Sequence, residues 1–169
     1  LDPMVINGGI INYYGSNAKF GNGRFVVAES DESDSSFVDL PSYIGAVTNI
    51  EPEHLEFYNG SFDRVKSYYK RYITQIPQDG LAILCIDDNE VKKLYQEVKD
   101  QKNIVTYGTD VSADIVASNI NCNIQGLTFD VNIKKSNLIL KNLTIPAYGI
   151  HNARNSLVAI AVGNFLGFS

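Results

Sequence analysis

The chain has 169 residues, 44% of them hydrophobic and 20% charged, with a formal net charge of −5; this is the size of one domain with a buried core and excludes a disordered chain. The acidic balance, with no cluster of Lys and Arg, argues against a nucleic-acid partner, and it would repel any polyphosphate substrate unless a cation or a nest of amides intervened. No apolar run approaches the roughly 20 residues that span a bilayer, and the opening Leu1–Gly9 has neither the basic flank nor the apolar stretch of a signal peptide, so no membrane insertion is expected.

In chain order, Phe25–Ala28 and Ile44–Val47 are short continuous apolar runs, the second extended by Thr48, Asn49 and Ile50. Leu81–Ile86 and Asn103–Gly108 are two more. Runs without alternation predict strands covered on both faces, as in parallel sheets. Between the second and third runs, Phe62, Val65, Tyr69, Tyr72 and Ile73 fall on one side of a predicted helix that Ser61 can cap. Between the third and fourth, Val91, Leu94 and Val98 form the stripe of another. Strands alternating with helices predict βαβ units and a right-handed, mostly parallel sheet flanked by helices. Phe25–Ala28 and Ile44–Val47 are expected as parallel neighbours in it.

From about residue 113 to 146 the helical period disappears. Three segments there read as antiparallel strands joined by turns at Gln125-Gly126 and Ser136-Asn137. The last segment regains a helical stripe (Leu157, Val158, Ala161, Val162, Phe165), with His151 or Asn152 expected to start it. The fold class is therefore α/β with an added antiparallel section. Cys85, inside the apolar run 81–86, reads as a buried small hydrophobe. Cys85 and Cys122 make neither a zinc motif nor a disulfide framework, which fits a reducing, cytoplasmic setting.

Three polar clusters are candidates for chemistry. Glu29, Asp31, Glu32 and Asp34 follow the first strand, where open α/β sheets bind ligands and where oxygen donors suit magnesium; a solvated acidic loop is the alternative. His54, with Glu51, Glu53 and Glu56 around it and Pro52 stiffening the turn, follows the second strand. It is a candidate base or metal ligand, and a locally packed histidine is the alternative. If the two strands are adjacent, Glu29 and His54 share one rim. In Tyr148–Ser156, His151, Asn152 and Asn155 lie three and four apart on one helix face and can pair with the edge of adenine; an N-cap and a polar surface are the alternative. No GxxxxGK[ST] phosphate loop is present in the sequence.

The opening LDPMVINGG, then FGNGRFVVAESDESDSSF, VTNIEPEHLEFY, LCIDD and GIHNARN together resemble the Mur ligase family, related to P-loop nucleotide hydrolases, over nearly the whole chain. AESDESDSSF followed by VTNIEPEH resembles the alanine-adding branch in particular. The resemblance implies ATP-dependent joining of L-alanine to UDP-N-acetylmuramate through an acyl phosphate, in peptidoglycan precursor synthesis, with Mg2+. It implies that Glu29 and His54 bind magnesium and serve catalysis, that His151, Asn152 and Asn155 hold the adenine side of ATP, and that Asn7 and Asp31 lie near the UDP-sugar. Residues 1–169 would then be an incomplete central ATP-binding domain, its phosphate loop expected before Leu1 and the amino-acid-binding domain after Ser169. Alone, it is expected to lack ligase activity and to bind ATP weakly. Other branches carry a carbamylated lysine on the helix after the histidine. The matching position is Tyr69, so neither Lys66 nor Lys70 takes that role. A tripeptide-recycling ligase of the same fold, or a non-catalytic nucleotide- or partner-binding module, remain alternatives.

Overall fold

A computed structural model describes residues 1–101 and 103–168. They form two compact units, Leu1–Phe37 and the remainder from Val38.

The first unit is a three-stranded sheet. Its central strand β1 (Met4–Ile11) pairs antiparallel with β2 (Ser16–Lys19) and parallel with β3 (Val26–Ala28). Asp2 ties the β2 side down, accepting from Lys19 Nζ at 3.0 Å and from the Asn22 N–H at 2.8 Å. The expected neighbour relation of Phe25–Ala28 and Ile44–Val47 is not made: β3 takes its ladder from β1. Residues 4–11 carry no period that would mark them as a strand, because Gly8 and Gly9 interrupt the apolar pattern.

The second unit is a six-stranded sheet in the order β4-β5-β6-β7-β8-β9. The strands β4 (Ile44–Val47), β5 (Leu81–Cys85), β6 (Ile104–Gly108) and β7 (Ile115–Asn123) are parallel, whereas β8 (Gly126–Ile133) and β9 (Leu138–Ile145) continue antiparallel. The helices are α1 (Phe62–Gln75), α2 (Asn89–Val98) and α3 (Ile150–Phe165).

Side chains of β5 divide between two cores. Leu81, Ile83 and Cys85 join Ala153, Leu157 and Ala161 of α3, while Ala82 and Leu84 join Val65 and Ile73 of α1 and Val91, Leu94 and Val98 of α2. A strand buried on both faces has no use for alternation, hence the unbroken apolar run. β8 is covered on one face only. Leu127, Phe129, Val131 and Ile133 are buried, with Thr128, Asp130 and Asn132 between them, so its sequence alternates. Both α-helix starts next to β4 and β5 are capped as the residue types require. Ser61 Oγ accepts from the Arg64 N–H at 3.3 Å, and Asp88 Oδ1 accepts from the Glu90 and Val91 N–H groups at 3.0 and 2.8 Å.

The antiparallel section is pinned at two irregularities. Asn119 and Asn142 adopt left-handed φ of 52° and 54° where the pairing of β7 with β8 and of β8 with β9 shifts. Asp130 between them accepts from Asn119 Nδ2 at 2.7 Å and from the Asn142 N–H at 2.9 Å. The Asn119 side chain, then the Asn142 amide, hold its carboxyl below the ordinary value of 3.8. Asp130→Ala should lower the melting temperature by roughly 2–4 °C at neutral pH. Because the native carboxyl is the stronger acid, its stabilisation is complete above the unfolded value and is lost as pH falls through the native one. The gap between wild type and variant in thermal unfolding should therefore close below about pH 4.

Candidate functional site

The carboxyl ends of the parallel strands form one rim of the second unit. Beyond β5 stands Asp87, whose side chain is 10% exposed. It accepts from the Thr109 N–H (2.9 Å), Thr109 Oγ1 (2.8 Å) and the Asp110 N–H (2.9 Å), joining the end of β5 to the end of β6. Arg154 Nη1 of α3 lies 3.7 Å from its Oδ2. The first turns of α3 are thereby tied to the rim. Below Asp87 the core is closed. Burial, and then the neighbouring Cys85 thiol, push the Tyr107 phenol far above its ordinary value, and burial raises Cys85, so both stay neutral at physiological pH. The Tyr107 hydroxyl has no hydrogen-bond partner among the described residues.

Beyond β4 the chain makes a polar turn. Thr48 Oγ1 donates to Asn49 Oδ1 at 2.7 Å, and Asn49 Nδ2 donates to Glu51 Oε1 at 3.2 Å. His54 then precedes a short 3-10 turn, Leu55–Tyr58, in the left-handed conformation (φ 50°, ψ 33°). A non-glycine residue is costly there, and such strain concentrates at functional sites. The conformation is anchored by Tyr58, fully buried and edge-on to Tyr68 at 5.2 Å between centroids. The imidazole is 41% exposed and 3.9 Å from Glu56.

On α3, the helix begins at Ile150, one residue before the expected His151 or Asn152, with Gly149 at the N-cap. Gly149 has φ of 86°, and a Cβ there would lie 2.5 Å from the His151 ring, which folds back over it. The three polar residues are not equivalent. Asn152 Nδ2 donates to the Tyr148 carbonyl at 2.7 Å and lies 3.1 Å from His151 Nε2, so it braces the turn. Asn155 is exposed, one turn further along, and its amide makes no hydrogen bond among the described residues.

In the first unit, Glu29 follows β3. Its N–H donates to the Ile6 carbonyl at 2.9 Å and its Oε2 accepts from the Gly8 N–H at 2.7 Å, leaving Oε1 without a hydrogen bond among the described residues. Asn7 Nδ2 donates to the Gly9 carbonyl at 2.9 Å. Asp31 Oδ1 accepts from the Ser33 N–H at 2.6 Å, and Asp34 Oδ1 from the Ser36 N–H at 2.9 Å; the Ser36 side chain, then its amide, lower the Asp34 carboxyl. These two aspartates turn the loop, whereas Glu29 presents an oriented oxygen.

In the first unit Glu29 presents an oriented carboxylate oxygen, the donor type that hard divalent cations take; in the second, His54 presents an exposed imidazole in a strained turn. Asp87 lies outside the three polar clusters of the sequence, although a carboxylate ending a continuous apolar strand is a legible signal. Its link to Thr109 is not legible, because nothing local pairs the ends of two strands.

The profile of the Mur ligase middle domain matches residues 16–163. A UDP-N-acetylmuramate–L-alanine ligase of Rickettsia felis is 47% identical over 99% of the chain, and one of Rhizobium johnstonii is 43% identical over all of it. The chain spans 36% of the length of each. A crystal structure of the UDP-N-acetylmuramate–alanine ligase of Thermotoga maritima superposes on 99% of the chain with a TM-score of 0.81, at 25% identity and 36% coverage of that chain.

Replacing Asp87 by Ala leaves three donors beyond β6 without an acceptor. We expect a loss of about 3 kcal/mol in urea unfolding, with Asp87→Asn recovering part of it.

Proposed function

Because the chain belongs to the Mur ligase family as its middle domain, we propose that it is the ATP-binding part of an ATP-dependent ligase that joins L-alanine to UDP-N-acetylmuramate in peptidoglycan precursor synthesis. The observation that carries this reading is the similarity to alanine-adding ligases, 43–47% identical over 99–100% of the chain; the roles given to Glu29, His54 and Asn155 rest on the resemblance of AESDESDSSF, VTNIEPEH and GIHNARN to that family. The substrates are water-soluble nucleotides and an amino acid, and no helix among the described residues is long and apolar enough to cross a membrane; the cytoplasm is the proposed location.

In this reading the sugar nucleotide's carboxylate attacks the γ-phosphorus of ATP and the bond to the β–γ bridging oxygen breaks, releasing ADP; the L-alanine amine then attacks the carbonyl carbon of the acyl phosphate, and inorganic phosphate leaves as the amine gives up a proton to form the amide. Glu29 and His54 would each serve as a ligand for Mg2+, which when bound would supply neutralisation of the phosphoryl oxygens. Glu29 is suited to this by its fixed Oε2 and its open Oε1, and His54 by the turn that projects its ring. Asn155 offers an unspent amide to adenine, and Asn152 with His151 keeps the first turn of α3 in shape beneath it. Asn7 and Asp31 would lie near the path of the sugar nucleotide. Asn7 spends one of its two amide N–H groups on the Gly9 carbonyl and keeps its oxygen and the other N–H to offer.

The test is phosphate release by the full-length protein with ATP, Mg2+ and UDP-N-acetylmuramate, offered either L-alanine or a tripeptide. Release with L-alanine supports the proposal; release with the tripeptide alone refutes it. Glu29→Ala and His54→Ala should each reduce kcat on the order of 100-fold, as loss of one preorganised electrostatic element does, with unchanged far-ultraviolet circular dichroism. Asn155→Ala should raise the KM for ATP about fivefold, the worth of one hydrogen bond, with kcat nearly constant.

A further inference from the structure

The Glu29 carboxylate does not stand free. The Gly8 N–H, on the neighbouring strand β1, donates to Oε2 at 2.7 Å, within the range of a charge-assisted bond. The backbone of Glu29 is held by the same strand through its N–H to the Ile6 carbonyl at 2.9 Å. Main chain and side chain are thus fixed by two groups two residues apart on β1.

Gly8 has no backbone reason to be glycine, since it is not among the residues with positive φ. What distinguishes it is space. A Cβ at position 8 would lie 3.2 Å from Glu29 Oε2 and 3.9 Å from its Cδ, and would meet nothing else within 4 Å. The neighbour that must give way is the far end of a flexible side chain, so a methyl group there costs the fold little and moves the carboxylate. At Gly9 a Cβ would meet only Asn7 Nδ2, at an ordinary 3.8 Å. The two adjacent glycines differ in what they protect.

We propose that Gly8 is a positioning residue for the cation site. Its N–H fixes Oε2, and its missing side chain leaves room for that bond, so that Oε1 is turned outward as the metal-binding oxygen. The inference rests on the reading of Glu29 as a cation ligand. Hydrogen-bonded partners of ligating carboxylates typically set metal affinity by about 10–100-fold, so the lower end is expected from a displacement that keeps the carboxylate present.

The experiment uses the chain itself with Mn2+ as probe, followed by paramagnetic broadening of amide signals, which detects millimolar binding. Wild type should show saturable broadening centred on Glu29, and Glu29→Gln should lose it. Gly8→Ala should shift the Mn2+ midpoint upward about tenfold without changing the melting temperature, and Gly9→Ala should titrate like wild type. In the Glu29→Gln background, Gly8→Ala should have no further effect. Independently of any metal, a through-hydrogen-bond coupling should link the Gly8 amide nitrogen to the Glu29 Cδ and vanish in Gly8→Ala. A wild-type midpoint in Gly8→Ala, or a missing coupling, overturns the positioning role. Coupling present with no Mn2+ effect at Glu29 removes the metal reading and the inference with it.

Discussion

The burial of β5 on both faces is the constraint from which the second unit follows. Five consecutive apolar residues cannot satisfy one core, because alternate side chains of a strand point to opposite sides. Leu81, Ile83 and Cys85 require α3 on one face, and Ala82 and Leu84 require α1 and α2 on the other. Once helices cover both faces, the loops that leave the strands are confined to the two rims. Polar groups such as Asp87 and the His54 turn must gather at the carboxyl ends. The architecture therefore decides where chemistry can occur before any particular side chain is chosen.

Asp87 converts that rim into a fixed surface. Its carboxylate is nearly buried, and it repays its desolvation with three hydrogen bonds to Thr109 and Asp110 and the proximity of Arg154. The strand ends and the start of α3 are thus held by one residue. The exposed Asn155 amide and the left-handed His54 stand on this surface with their own anchors, Gly149 beneath His151 and Tyr58 beneath the histidine turn. Rigid support with unspent polar groups is the arrangement that binding sites use to limit ordering costs.

Much of this was readable from residue patterns. The unbroken run 81–86 indicated a strand covered on both faces, the segments from about 113 to 146 read as antiparallel strands, and Ser61 stands where a helix cap belongs. The failures have a common physical cause. β1 contains Gly8 and Gly9, and β2 is Ser-Asn-Ala-Lys; neither shows a period, and both form because their partners supply backbone hydrogen bonds. The expected pairing of Phe25–Ala28 with Ile44–Val47 failed for the same reason, since a strand's neighbour is a nonlocal choice. At the candidate site the residue types were legible in Glu29, His54 and Asn155. The division of labour between Asn152, whose amide nitrogen bonds Tyr148, and Asn155, whose amide is unspent, required coordinates.

The claim that most needs a direct test is that the carboxyl-end rim of the second unit is the nucleotide surface. Titration of the isotopically labelled chain with ADP, followed amide by amide, addresses it without requiring turnover. Saturable shifts concentrated at Asp87, Thr109, His151 and Asn155 are the expected result. Shifts concentrated at the opposite ends of the strands, around Gly80 and Asn103, or no saturable change at millimolar ADP, would contradict it.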